Sequence, residues 1–302
     1  MNQQAETRQA AIEQTIACIA SRFSTPVPRP AWGLILGSGL GGVADQIETQ
    51  ASIAYADLPG FAVPRAAGHA GRLILGRWQG VDVVAMAGRF HLYEGWSFDQ
   101  ITFPVAVMAA LGATNLIVSN AAGGVRPGLR VGDLILIADS IDWMRGLGAG
   151  GVGLGAGGMG LGAGGANPAH AGLGGARSPN PSGRRCDASM YDSQWRQWAL
   201  RWARKLDVRL SEGTYLAMSG PTYETRAEYR MMRRMGVDVV GMSTVPEALH
   251  GYRLGMRVLG FSMVSNVANP DRPSETHHDE VIEAGKRGAQ DLQRILGFLG
   301  KV

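Results

Sequence analysis

Short, mainly apolar runs that stop at turns of small residues recur along this chain and narrow its fold sharply. Trp32 to Leu36 runs into Gly37-Ser38-Gly39, Asn115 to Ser119 into Asn120-Ala121-Ala122-Gly123-Gly124, and Val237 to Val240 into Gly241-Met242-Ser243-Thr244. Short runs of this kind suit strands covered on both faces. Leu134 to Ala138, Arg209 to Met218 and Met256 to Ser265 read as further strands. Arg72 to Trp78 and Val81 to Ala87 flank Gln79-Gly80 as a hairpin.

Helical spacing lies between these runs: Glu6 to Phe23, Ile101 to Leu111, Glu224 to Met235, Pro246 to Leu254 and His277 to Leu299. Strands that alternate with helices predict a single α/β domain over residues 1–302. Its central twisted sheet should be mostly parallel or mixed, and flanked by helices. With 45% hydrophobic types in 302 residues, the chain has enough apolar material for a large core. One segment breaks the pattern. From Gly146 to Ala166 the unit Gly-Leu-Gly-Ala-Gly-Gly occurs three times, and a Gly-, Ala-, Pro- and Ser-rich stretch continues to Ser182. Glycine costs about 1 kcal/mol per helical position relative to alanine, so residues 146–182 are read as a surface insertion.

The charge balance, 29 basic against 25 acidic residues, is too even and too dispersed for a nucleic-acid footprint. No stretch reaches the roughly 18 consecutive apolar residues of a spanning helix, and the first twenty residues lack a basic-then-apolar leader. A cytoplasmic protein without a membrane partner is the expectation. Cys18 and Cys186 have no partner spacing, so neither a disulfide framework nor a zinc site is expected.

Chemistry collects at the strand ends. Gly37-Ser38-Gly39 offers a hydroxyl and unhindered N–H groups suited to an oxyanion, although a packing turn would look the same. In Gly88-Arg89-Phe90-His91-Leu92-Tyr93-Glu94-Gly95, alternate side chains of an extended backbone share one face. Arg89, through its planar fork, and His91, through a directed N–H, could converge on one anion, with Tyr93 meeting a hydroxyl. An exposed salt-bridge face would carry the same residue types. The other small-residue turns admit backbone to close approach, and Ser243 reads as the N-cap of the helix near Pro246. Open α/β sheets bind ligands at strand carboxyl ends, so these loops should meet there.

These segments, with Gly68-His69-Ala70-Gly71, Gly220-Pro221-Thr222-Tyr223-Glu224-Thr225 and Gly241-Met242-Ser243-Thr244-Val245-Pro246-Glu247, resemble in order the signatures of the trimeric purine nucleoside phosphorylases. The resemblance spans about Trp32 to Asp142 and Tyr191 to Leu299. It implies phosphorolysis of purine nucleosides by inorganic phosphate as co-substrate, a homotrimer, and no metal or organic cofactor. On matching positions, Ser38, His69, Arg89, His91, the Ala121 N–H and Ser243 would bind phosphate. Tyr93, Met242 and His278 would orient the sugar, with Tyr215, Tyr223 and Val240 lining the pocket. Glu224 and Asn266 would read the base, and the resemblance places Asn266, Glu224, His91 and His278 in catalysis.

An amide at 266 can donate to N7 and O6 of hypoxanthine or guanine, whereas an acid would favour the amino group of adenine. Inosine and guanosine are therefore the expected substrates, ahead of methylthioadenosine; a catalytically silent purine-binding module is a further alternative. The chain departs from the family in three places. Val267 replaces a lysine found in many relatives, and His277 adjoins His278. Arg185-Cys186-Asp187 stands where an aromatic is expected to reach a neighbouring subunit.

Overall fold

The computed structural model describes residues 3–24, 26–37, 41–64, 70–144, 189–268, 271 and 278–301. The glycine-rich insertion, Cys186, Ser38, His69 and His277 lie outside them. Nine strands form one sheet: β1 (Trp32–Leu36), β2 (Glu48–Ala54), β3 (Arg72–Trp78), β4 (Val81–Ala87), β5 (Asn115–Gly124), β6 (Leu134–Asp142), β7 (Leu210–Ala217), β8 (Val239–Gly241) and β9 (Arg257–Val267). Their order is β2-β3-β4-β1-β5-β8-β7-β6-β9, and β9 also pairs with β5.

The single α/β domain with a mixed, helix-flanked sheet is as expected, and that last pairing adds a closure the sequence did not indicate. The circuit β5-β8-β7-β6-β9 closes on itself as a small barrel, and β1, β4, β3 and β2 extend from it as an open sheet. The sheet is mixed. β1 runs parallel to both β4 and β5, β5 parallel to β9, and β7 parallel to β6 and β8, whereas β2–β3, β3–β4, β5–β8 and β6–β9 are antiparallel. All five residues of β1 are buried, as a strand with neighbours on both sides and helices on both faces requires. The hairpin turn carries Gln79 and Gly80 at φ 51° and 80°, so both central residues are left-handed, as a tight two-residue hairpin demands.

Helices α1 (Gln3–Ala20), α3 (Phe98–Ala110) and α6 (Val245–Arg253) share one hydrophobic cluster, which includes Ile12, Val105 and Ala248. A short α2 (Gly41–Ala44), α4 (Ser193–Lys205) and α7 (His278–Leu296) supply another, with Val43, Trp195 and Leu292. α5 (Arg226–Arg234) packs Met232 against Val237 and Val240. α3 begins three residues before the expected Ile101 because Ser97 and Gln100 form a reciprocal cap. β2 and α4 are not anticipated by the sequence reading. β2 buries only Ile53, so it carries no alternation, whereas α4 buries Trp195, Ala199 and Ala203 at helical spacing behind an Asp192 cap.

Trp195 ties this second layer to the sheet. Its ring lies 5.0 Å from that of Trp32 in β1 and 6.0 Å from Phe298, with the Arg257 guanidinium over its face. Trp195→Ala should lower the unfolding free energy by about 3 to 5 kcal/mol in an equilibrium urea titration. A loss below about 1 kcal/mol would contradict this placement.

Candidate active site

The site starts with a contact that only glycine allows. A Cβ on Gly37 would stand 2.5 Å from the Ser119 carbonyl oxygen and 3.2 Å from Arg89 Nη2. Without one, the end of β1 closes onto the middle of β5 and onto the arginine that follows β4.

Arg89 is 2% exposed. Its Nη1 donates to Ser243 Oγ (3.1 Å), Thr244 Oγ1 (2.9 Å) and Glu247 Oε1 (3.4 Å), and Nη2 donates to the carbonyls of Ile35 (3.4 Å) and Ser119. The fork that the sequence suggested would face an anion is thus turned onto protein acceptors, because the end of β1, the middle of β5 and the start of α6 surround it. Nε alone has no hydrogen-bond partner.

Ser243 is not the N-cap of α6. That position belongs to Thr244, at φ +78° and without a side-chain cap, while the Ser243 hydroxyl is taken by Arg89 and Thr244. A β-branched residue in the left-handed region is strained, and such strain gathers at functional sites. Here it places the fully buried Thr244 hydroxyl where Arg89 and Asn120 Nδ2 (2.9 Å) both donate to it.

His91 has its tautomer set by a neighbour absent from the sequence expectations. Glu94 Oε1 accepts from His91 Nδ1 (2.7 Å) and from the His91 backbone N–H (3.0 Å), bracing a short 3₁₀ turn over Leu92–Glu94. Neutral His91 therefore holds its proton at Nδ1, and Nε2 is an acceptor that donates only once the ring is protonated. Burial lowers the imidazole pKa, and Glu94 partly opposes this. Tyr93 stacks on His91 with ring centroids 4.8 Å apart. Burial, and next the Glu94 charge, push its phenol up.

Small residues at the end of β5 let β9 pair beyond its predicted end. Between Ala122 and Gly123 the register slips, which sets Gly123 opposite Asn266. Such a bulge re-aims side chains. Ser265 Oγ donates toward Asn266 Oδ1 (3.0 Å), the nearer of its two acceptors, and so leaves Asn266 Nδ2 as the donor. Glu224 precedes α5: Thr225 is the cap and Glu228 completes the capping box, so Glu224 has no capping duty. Its Oε2 instead accepts from Tyr229 Oη (2.7 Å), a partner the sequence reading did not identify.

Arg89, His91, Tyr93, Ala121, Tyr223, Glu224, Val240, Met242, Ser243 and Asn266 line one cavity of about 270 Å³, together with Gly37, Asn120, Gly123 and Ser265. Tyr223 is 78% exposed at this cavity. Tyr215, expected to line the pocket, stands behind it: fully buried, its hydroxyl donates to the Ser243 carbonyl (3.2 Å) and accepts from the Ser243 N–H (3.3 Å). A Cβ on Gly241 would meet that hydroxyl at 2.6 Å. Burial pushes the Tyr215 pKa up to about 12, which keeps it a hydrogen-bond donor at neutral pH. Tyr215 thus braces Ser243. His278 opens α7, and its side chain lies outside the described residues.

Buried cationic and hydroxyl donors share this cavity with a carboxylate and an amide, which suits a ligand that carries an anion and a polar heterocycle. The family model of the phosphorylase superfamily matches residues 32–297, and the chain belongs to that superfamily. Its relatives include purine nucleoside phosphorylase 1 of Geobacillus stearothermophilus, 44% identical over 95% of both chains. Purine nucleoside phosphorylase of Bos taurus is 40% identical over 90% of this chain and 88% of its own. Among solved structures, Schistosoma mansoni purine nucleoside phosphorylase in complex with adenosine superposes with a TM-score of 0.76, at 33% identity and 95% coverage of each chain.

Replacing Glu94 tests the His91 geometry. Both the hydrogen bond and the charge of Glu94 raise the imidazole pKa, so loss of the charge should move it further below the ordinary value. In Glu94→Gln the midpoint of the His91 ring titration by NMR should fall. An unchanged or raised midpoint would contradict the assignment.

Proposed function

We propose that the chain catalyses phosphorolysis of purine nucleosides. An oxygen of inorganic phosphate forms a bond to C1′ of the (deoxy)ribose as the bond from C1′ to the base nitrogen breaks. The electron pair leaves with the base, which takes up a proton, and the products are free purine and (deoxy)ribose 1-phosphate. The observation that carries this reading is the shared cavity, with Arg89, Ser243 and the end of β5 beside Glu224 and Asn266.

No side-chain nucleophile is needed. As the C–N bond lengthens, positive charge grows on the sugar and negative charge on the purine, between an anionic phosphate and pre-aimed donors. These contacts strengthen toward the transition state. Arg89, Ser243 and the Ala121 N–H are assigned to phosphate, with Ser38 and His69 as further ligands. With Nδ1 committed to Glu94, His91 Nε2 can accept from a phosphate or sugar hydroxyl, or donate once protonated. Tyr93, Met242 and His278 are assigned to the sugar, and Tyr223 and Val240 to the sugar and base. Glu224 would accept from ring N–H groups, while Asn266 Nδ2 would donate to N7 or O6 as charge arrives. No metal or organic cofactor enters the scheme. A cytoplasmic homotrimer is the proposed assembly, on the resemblance to trimeric relatives.

The donor geometry at Asn266 favours the 6-oxopurines inosine and guanosine. Release of free base from inosine, guanosine, adenosine and methylthioadenosine, followed with and without phosphate, tests both reaction and preference. Hypoxanthine should appear only with phosphate and faster than base from methylthioadenosine. Binding without product would instead support a silent purine-binding module. Asn266→Asp should lower kcat/KM for inosine by about 10- to 100-fold, as expected when a buried polar contact is mismatched, and shift preference toward adenosine. A variant with the parent's inosine preference would contradict the base assignment.

A further inference from the structure

Glu247 lies outside the cavity lining, 2% exposed on the first turn of α6. Its Oε1 is 3.4 Å from Arg89 Nη1, and its Oε2 has no hydrogen-bond partner. The backbone N–H groups of Thr244 and of Glu247 itself favour the charged carboxylate, as they would any acid at the start of a helix. Capping accounts for an acid at this position. It does not account for an acid whose neighbouring guanidinium is also the one assigned to the ligand.

Stability is a weak explanation too, because a buried ion pair with one long contact and an unsatisfied oxygen recovers little of its desolvation cost. Arg89 Nη1 is shared among Ser243, Thr244 and Glu247, so the carboxylate draws on a donor that two hydroxyls also use. On the phosphorolysis reading, on which this inference rests, phosphate becomes a second anion drawing on the same guanidinium. We propose that Glu247 is a positioning residue that holds Arg89 in place and competes with phosphate for its charge. It thereby weakens phosphate binding enough for the anion to exchange at each turnover. Nucleoside recognition, assigned to Glu224 and Asn266, should not feel it directly.

The test is calorimetric titration of inorganic phosphate into the full-length protein and into Glu247→Gln and Glu247→Asp. Gln keeps an acceptor for Nη1 and removes the charge, so phosphate Kd and KM should both fall about three- to tenfold, with the nucleoside KM within about twofold of the parent. Asp draws the charge back by one methylene and should give a smaller tightening. Unchanged or weaker phosphate binding in soluble Glu247→Gln overturns the proposal, even if its Tm falls, since that is the signature of a helix cap alone. If Glu247→Gln is insoluble, Glu247→Asp decides by the same criterion. Arg89→Ala is the control. A parent that binds no phosphate, or an Arg89→Ala variant that binds it undiminished, defeats the phosphate reading itself.

Discussion

The site is organised around a guanidinium buried where strands end. Arg89 cannot be left without acceptors in the interior, and the chain brings them from distant segments: the carbonyls of Ile35 and Ser119, the hydroxyls of Ser243 and Thr244, and the carboxylate of Glu247. They lie near the end of β1, in the middle of β5 and around the start of α6. Satisfying one side chain therefore fixes how β1, β5, β8 and α6 meet. Gly37 permits the approach, and the strained Thr244 backbone completes it.

This framework separates two kinds of recognition. Positive charge and hydroxyls gather around Arg89 and Ser243, where an oxyanion would be held. The bulged pairing of β5 with β9 presents Asn266, and the turn before α5 presents Glu224. Supporting residues then fix orientation: Glu94 sets the His91 tautomer, Ser265 the Asn266 amide, Tyr215 the Ser243 backbone and Tyr229 the Glu224 carboxylate. In a site that works by electrostatic stabilisation, such preorganisation matters more than any single reactive group.

Much of this was legible in the sequence, for reasons that differ by residue. Buried strands such as β1 and helices such as α3 announce themselves by periodicity, which is local. The turns rich in small residues marked where a ligand could meet backbone, and the family resemblance supplied Asn266 and Glu224. Closure of β5 onto β9 was not legible, since it depends on a register slip at Ala122 and Gly123 that no local pattern encodes. β2 is an edge strand with one buried residue and has no pattern to read. Glu247 lies 158 positions from Arg89, so their contact belongs to tertiary structure. His91 and Glu94 sit three residues apart, a capping spacing that could have been noticed.

The most direct measurement is a crystal structure of the protein soaked with inorganic phosphate. The account predicts one phosphate in the cavity, within hydrogen-bond distance of Arg89, Ser243 and the Ala121 N–H. A phosphate bound elsewhere, with both Arg89 Nη groups still engaged by protein acceptors, would contradict it.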